Sequence, residues 1–264
     1  IRLGARLTDV QSGEDGARRA FADGSNIRTG VAVGADGLKS AVRTALVGPD
    51  EPAFSGHMAW RALIPMDLVS SDYAEARSTV CVGGGKNTVY YPVRNGALLN
   101  FVAFTRAEAW VEESWSEPAS PDDLLETFSG WCEFALAPIR AIPPERCYRW
   151  GLFLREPLAR WTDGTTVLLG DAAHPMLPFF GQGAACAIED AVVLARCLEA
   201  YDDAFIALNR YEAARLPRAS MLQRESNLGG ERLQAFDPYA LKKAPVKAED
   251  SMGIFRYDPA TVDI

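Results

Sequence analysis

Leu169-Gly170-Asp171-Ala172-Ala173-His174-Pro175, followed by Gly181-Gln182-Gly183-Ala184-Ala185, is the stretch on which the fold turns. The run 165–169 leading into it reads as a buried strand. Its acid stands at the carboxyl end, where open α/β sheets put their ligands. The small residues that follow let a loop and a helix start approach something planar or anionic. Beyond Gly183, Ala187, Ile188, Ala191, Leu194, Ala195 and Leu198 fall at helical spacing, which predicts an amphipathic helix with one face packed inward. Glu189 and Asp190 read as residues that cap and solubilise that helix, and His174 as a structural member of the loop.

Working outward, residues 204–215 and 219–234 read as two further helices, and Lys242, Lys243 and Lys247 as part of an exposed tail. Towards the amino terminus, Val33-Gly34-Ala35-Asp36-Gly37-Leu38 ends a strand (27–34) in two glycines flanking an acid. It gives way to a short helix at 38–46 that carries Arg43. Residues 1–10 and 17–21 read as strands separated by polar turns at 11–16 and 23–26. Between the two glycine-acid segments the texture is β-rich, with runs at 57–64, 78–82, 88–93 and 97–104. Asn95-Gly96 and Gly83-Gly84-Gly85 supply hairpin turns. Lys86 after the glycine triplet imitates a phosphate loop, but Val80 stands where that loop needs its first glycine. Ser120-Pro121 predicts a capped helix running through Trp131, and 148–154 a closing strand.

The fold class is therefore α/β (α+β): residues 1–50 and 151–264 form one domain with carboxy-terminal helices, and 51–150 an inserted, mostly antiparallel sheet domain. The chain has 264 residues, 48% of them hydrophobic and 23% charged, with a formal charge of −8. That composition excludes wholesale disorder, and the acidic balance argues against a nucleic-acid partner. The most apolar stretch, 167–198, is broken by charges, so no membrane span is expected. Five scattered cysteines and two histidines give no metal-ligand spacing, so no metal is expected, and they read as reduced thiols of a cytoplasmic protein.

Together the two glycine-acid segments, 135 residues apart, resemble those of the FAD-dependent aromatic-ring monooxygenases, the salicylate and hydroxybenzoate hydroxylases. Gly56-His57-Met58-Ala59-Trp60-Arg61 is similar to that family's Gly-x-x-Ala-Trp-Arg pattern. The resemblance implies a partial Rossmann-like FAD-binding domain around a substrate sheet, and FAD as cofactor. The reaction implied is hydroxylation of a small phenolic or hydroxy-aromatic carboxylate with NAD(P)H and O2, by way of a flavin C4a-hydroperoxide. It also implies residue roles. Asp171, with Gly170, would hold the ribityl hydroxyls. Asp36 and Gly37 would lie near the pyrophosphate and ribityl region, supported by Arg43. Gly183 and the amides of Ala184 and Ala185 would face the pyrimidine edge, and Pro178 the flavin and substrate.

His57, the second histidine, is the expected base or substrate ligand. Met176, Leu177, Phe179 and Phe180 would wall off water and stack on the ring, with Trp60 as a further substrate contact; Arg61 could pair a substrate carboxylate, but it reads first as a solvated strand-edge arginine. The family's Gly-x-Gly-x-x-Gly segment does not occur here, so an amino-terminal dinucleotide-binding segment is expected to be lacking. That keeps two other readings in view: an inactive remnant that binds a small aromatic, and a quinone-pathway flavin hydroxylase. A homodimer is left open as the assembly.

Overall fold

The computed structural model describes residues 1–13, 16–75, 78–109, 117–237, 239 and 252–264. The lysines at 242, 243 and 247 lie outside them. The chain divides into two compact units. Unit one comprises Ile1–Pro52, Leu154–Gly229 and Lys247–Ile264, and unit two comprises Ala53–Phe153 and Gly230–Val246. The boundaries read from the sequence were 50/51 and 150/151, with no return of the chain to unit two.

In unit one, β1 (Leu7–Gly13), β2 (Gly16–Phe21) and β3 (Asn26–Thr29) form an antiparallel sheet in the order β1-β2-β3. The strand expected over 27–34 is two strands. The chain leaves this sheet after Thr29 and enters another as β4 (Ala32–Gly34), followed by α1 (Ala41–Val47). β11 (Thr162–Asp163) and β12 (Thr166–Leu168) complete the order β11-β12-β4, in which β12 and β4 run parallel, with Leu168 opposite Gly34. Gly34 is required here: a Cβ on it would sit 2.6 Å from Val42 Cβ and 3.1 Å from Leu168 Cδ2. The strand therefore lies flush against α1.

The helices behind this sheet are α5 (Gly183–Ala200) and α6 (Ala204–Leu233). The two helices expected over 204–234 are one, running through Pro217. The buried series Ala207, Leu208, Tyr211, Ala219 and Leu222 keeps one face of it in the core on both sides of the proline. That burial outweighs the roughly 3 kcal/mol a proline costs inside a helix. No helix among the described residues is long and apolar enough to cross a membrane.

Unit two is a six-stranded sheet in the order β6-β7-β8-β5-β10-β9. Its strands are β5 (Ala53–Pro65), β6 (Thr79–Gly83), β7 (Lys86–Val93), β8 (Leu98–Arg106), β9 (Glu117–Pro118) and β10 (Cys147–Leu154). The glycine triplet closes a hairpin in which Gly83 pairs with Lys86, with Gly84 and Gly85 at positive φ. Three helices, α2 (Asp72–Glu75), α3 (Pro121–Thr127) and α4 (Glu133–Arg140), belong to this unit. α3 is capped by Ser120, which accepts from Asp122 N, but it stops at Phe128, short of the end expected. Trp60, Ala62 and Ile64 on one sheet face pack with Leu124, Phe128 and Ile139 of the helical layer.

Candidate functional site

The parallel pair brings the two glycine-acid segments side by side. Leu169 N donates to Gly34 O at 2.9 Å, so both chains turn away from the sheet at the same level. Between them opens a cavity of about 460 Å³, whose lining includes Ala35, Gly37, Gly170, Asp171, Met176, Pro178, Gly183 and Ala184.

Asp171 sits in the 3-10 turn Gly170–Ala172 at this cavity. No hydrogen bond from a described residue reaches its carboxylate. Desolvation pushes its pKa up, against the opposing pull of His174. It is a carboxylate with unused acceptor positions, exposed at the cavity. Opposite it begins α5, 18 residues long, whose N-cap Gln182 makes no side-chain capping bond and whose first turn holds no acid. The amides of Gly183, Ala184 and Ala185 are thus left without a side-chain cap, and the helix end is positively polarised. Ala184 lines the cavity, while Ala185 is exposed beside it.

The first segment is built differently from the second. Asp36 accepts from Ser40 Oγ at 2.5 Å, Ala41 N at 2.8 Å and Val42 N at 3.3 Å, so its carboxylate holds the start of α1. Gly37, at φ +76°, is the residue of that turn which meets the cavity. Arg43 is buried and donates to Ala172 O and Ala173 O at 3.2 Å each, and to Asp50 Oδ2 at 2.9 Å. Arg155 reaches Asp50 Oδ1 at 2.7 Å and Leu38 O at 3.2 Å. One carboxylate therefore joins the arginine under the second loop to the arginine under the first. Burial works to raise Asp50, but the hydrogen bonds and charges of both arginines outweigh it and hold the group below the usual carboxylate range.

Behind the cleft lies a buried ion network. Asp190 was expected from the sequence to cap and solubilise α5, but it is fully buried and serves neither role. Its Oδ2 accepts from Gly170 N at 3.1 Å and lies 2.6 Å from His174 Nε2, and its Oδ1 accepts from Arg215 Nε at 2.8 Å. Glu189 is likewise engaged, with Arg215 and Arg218 at 2.8 Å. Burial would lower the His174 pKa, but the bond and charge of Asp190, with Cys186, push it up to about 10. His174, Cys186 and Asp190 come close enough to suggest a metal site. Arg215, bonded to Asp190 and 3.3 Å from Cys186 Sγ, already supplies the cation there.

The apolar loop divides. Met176 and Pro178 face the cavity, as does Leu177, although its side chain is buried. Phe179 instead packs on Gly229 of α6, where a Cβ would come within 2.7 Å of its own Cβ. Phe180 is half-buried outside the lining. In unit two, His57 and Trp60 stand on an unbroken strand register, three residues apart, so they point to opposite faces. Trp60 does not take the substrate position expected. It is buried in the core between sheet and helices, because its side of β5 is the apolar one. His57 lies on the other face, buried, with Nδ1 donating to Gln234 Oε1 at 2.8 Å. Burial is the main cause that lowers its pKa, so the ring is neutral at pH 7. On the same face, Asn87 is fully buried and its side-chain amide has no hydrogen-bond partner. Arg61 is exposed.

Asp50 and Arg155 escaped the sequence reading, as did Arg215 and the buried role of Asp190. For the last two a signal existed. Cys186, Asp190, Val193 and Cys197 share the buried stripe of α5, and Arg215 falls between Tyr211 and Ala219 on the buried stripe of α6. A charge at a core position is one that must find a buried partner.

The family model described as "FAD binding domain" matches residues 1–226. The chain belongs to the FAD binding domain family. FAD is the cofactor of this domain. The domain is 40% identical over 231 residues to 3-amino-4-hydroxybenzoate 2-monooxygenase of Streptomyces platensis, covering 87% of this chain and 58% of that protein. It is 36% identical over 232 residues to 3-hydroxybenzoate 6-hydroxylase 1 of Aquipseudomonas alcaligenes, covering 88% and 58%. Its fold matches a salicylate hydroxylase substrate complex with a TM-score of 0.84 at 28% identity, covering 98% of this chain and 69% of that one. The chain thus spans rather more than half the length of the curated relatives it matches. The residues present fit FAD: an unsatisfied carboxylate for ribityl hydroxyls, an uncapped helix start for an electron-rich ring edge, and small-residue walls for a flat ring.

Proposed function

We propose that this chain is the flavin- and substrate-binding part of a monooxygenase that hydroxylates a small phenolic or hydroxy-aromatic carboxylate with NAD(P)H and O2. One observation carries the reading: an unpartnered Asp171 carboxylate and the uncapped start of α5 line a single cleft. FAD, when bound, supplies the redox chemistry. Asp171 would accept hydrogen bonds from the ribityl hydroxyls, and Gly37 would let the chain pass close by. The amides of Ala184 and Ala185 would favour negative charge on the pyrimidine edge. Met176 and Pro178 would keep water from the ring.

On the substrate sheet, His57 is proposed as the proton acceptor for the phenol: with Nδ1–H held by Gln234, a neutral ring carries its lone pair on Nε2. The unsatisfied Asn87 amide is a second polar group of that face, suited to a ring hydroxyl or carboxylate. The names of the relatives above, benzoates with a hydroxyl or amino group, support that substrate class. Five free cysteines suit a reducing, cytoplasmic setting.

The test has two steps. The chain is titrated with FAD, following flavin fluorescence, and the protein that carries it is then screened with hydroxybenzoates and hydroxynicotinates for stimulated NAD(P)H oxidation. Saturable binding and a phenol that raises the basal oxidation rate are the expected results. A chain that binds no FAD, or a protein that no phenol stimulates, sinks the proposal.

A further inference from the structure

The network behind the cleft takes no direct part in the function proposed above, yet it touches the residue that precedes Asp171. Asp190 holds the Gly170 amide and the His174 ring on one oxygen and Arg215 on the other. Gly170 itself is at φ +62°, with Ala187 of α5 directly against it, so the turn has little freedom except through these bonds. We propose that Asp190 is a positioning residue for flavin binding: its buried carboxylate fixes the Gly170 amide and the His174 ring, and thereby sets the direction and charge of the Asp171 carboxylate. The inference rests on the reading of Asp171 as the ribityl ligand.

Two physical arguments connect Asp190 to Asp171. The first is geometric. Gly170 N is bonded to Asp190 and His174 N to Gly170 O at 2.9 Å, so the turn that carries Asp171 is pinned at both ends. The second is electrostatic. Desolvation opposes ionisation of Asp171, and the charge of His174 is what favours it. His174 keeps that charge through Asp190 and Cys186 of α5. The remaining groups around the cluster are Arg215 and Tyr211 of α6, which face Asp190, and the ring of Trp161, 5.2 Å from His174. None of them offers His174 a second counter-charge of comparable closeness. An asparagine at 190 keeps the shape but withdraws the charge.

The experiment is a double-mutant cycle on the full chain, with flavin affinity as the readout. Asp190→Asn, Asp171→Asn and the double variant are titrated with riboflavin, FMN and FAD at low temperature, where near-ultraviolet circular dichroism shows each to be folded. Asp190→Asn is expected to raise Kd about tenfold, by the same factor for all three flavins, because each carries the ribityl chain. Added to Asp171→Asn, it is expected to cost no more than about twofold, since it acts through the group already removed. An independent readout uses the two histidines of the chain. In 15N-histidine spectra His174 is expected to be an imidazolium at pH 7.5 and to become neutral in Asp190→Asn.

If Asp190→Asn fails to fold, His174→Gln, which can still donate to Asp190, takes its place in the cycle. Losses that multiply, a loss confined to FAD, or affinity unchanged in the single variant would overturn the proposal while leaving the cofactor reading intact. A wild-type chain that binds none of the three flavins would overturn both.

Discussion

Replacing Gly170 by alanine tests whether the turn bearing Asp171 is held by conformation, by contact, or by both. At φ +62° an alanine is in the left-handed region, which costs about 1–2 kcal/mol. Loss of glycine's freedom in the unfolded chain returns about 0.4–1 kcal/mol. The new Cβ would lie 3.2 Å from Ala187 Cβ, and a single contact of that kind adds about 1 kcal/mol, the lower end for overpacking. The net is about 2 kcal/mol of destabilisation, or a fall in Tm of roughly 4–8 °C for a chain of this size. Combining it with Ala187→Gly separates the two causes. The second variant alone costs about 0.5–1 kcal/mol inside a helix, and the pair should show a favourable coupling of about 1 kcal/mol, because the contact vanishes while the φ cost remains. Thermal unfolding of the four proteins, followed by circular dichroism, measures this. A Gly170→Ala protein that melts with the wild type, or a cycle with no coupling, refutes the reasoning.

Other outcomes follow from the same geometry. Asp171→Asn is expected to weaken flavin binding by about 10- to 100-fold, the loss of one charge-assisted hydrogen bond. It should also raise the Tm of the flavin-free chain at pH 7, because the raised pKa of Asp171 means its ionised form costs the fold stability there; fluorescence titration and thermal melts read both. His174 has the opposite sign. With its folded pKa near 10 and its unfolded value near 6.5, its stabilisation is complete below pH 6.5 and is lost as pH rises towards 10, so urea midpoints should fall across that window and flatten in His174→Gln. Gly229→Ala would stabilise an ordinary helix by about 0.5–1 kcal/mol. Here its Cβ meets Phe179 Cβ at 2.7 Å, so a loss of about 1–3 kcal/mol in thermal unfolding is expected instead. His57→Ala should lower phenol-stimulated NAD(P)H oxidation by about 10²-fold or more, with flavin affinity unchanged.

Much of the cleft was legible from local chemistry. The glycine-acid segments announced strand ends, and Ser120-Pro121 announced a helix start, because such signals act within a few residues. Three features were not legible, each for a long-range reason. Pro217 reads as a helix break unless one knows that the face through Leu208 and Leu222 is buried on both sides of it. Trp60 and His57 are neighbours in sequence, and only the placement of the helical layer decides which face of β5 meets it. Asp36 reads as a ligand for a bound phosphate or sugar, but the amides of α1 take its oxygens first.

Asp50 has a consequence of its own. Two arginines lean on it, one beneath each loop of the cleft, yet its side chain remains 37% exposed. The two buried arginines beneath the cleft are thus fastened by a group that bulk water can reach. Its stabilisation holds at neutral pH and disappears as acid titrates it through its lowered pKa. Both walls then lose their common anchor in one event, so acid would strip the flavin and slacken the loops together rather than one after the other.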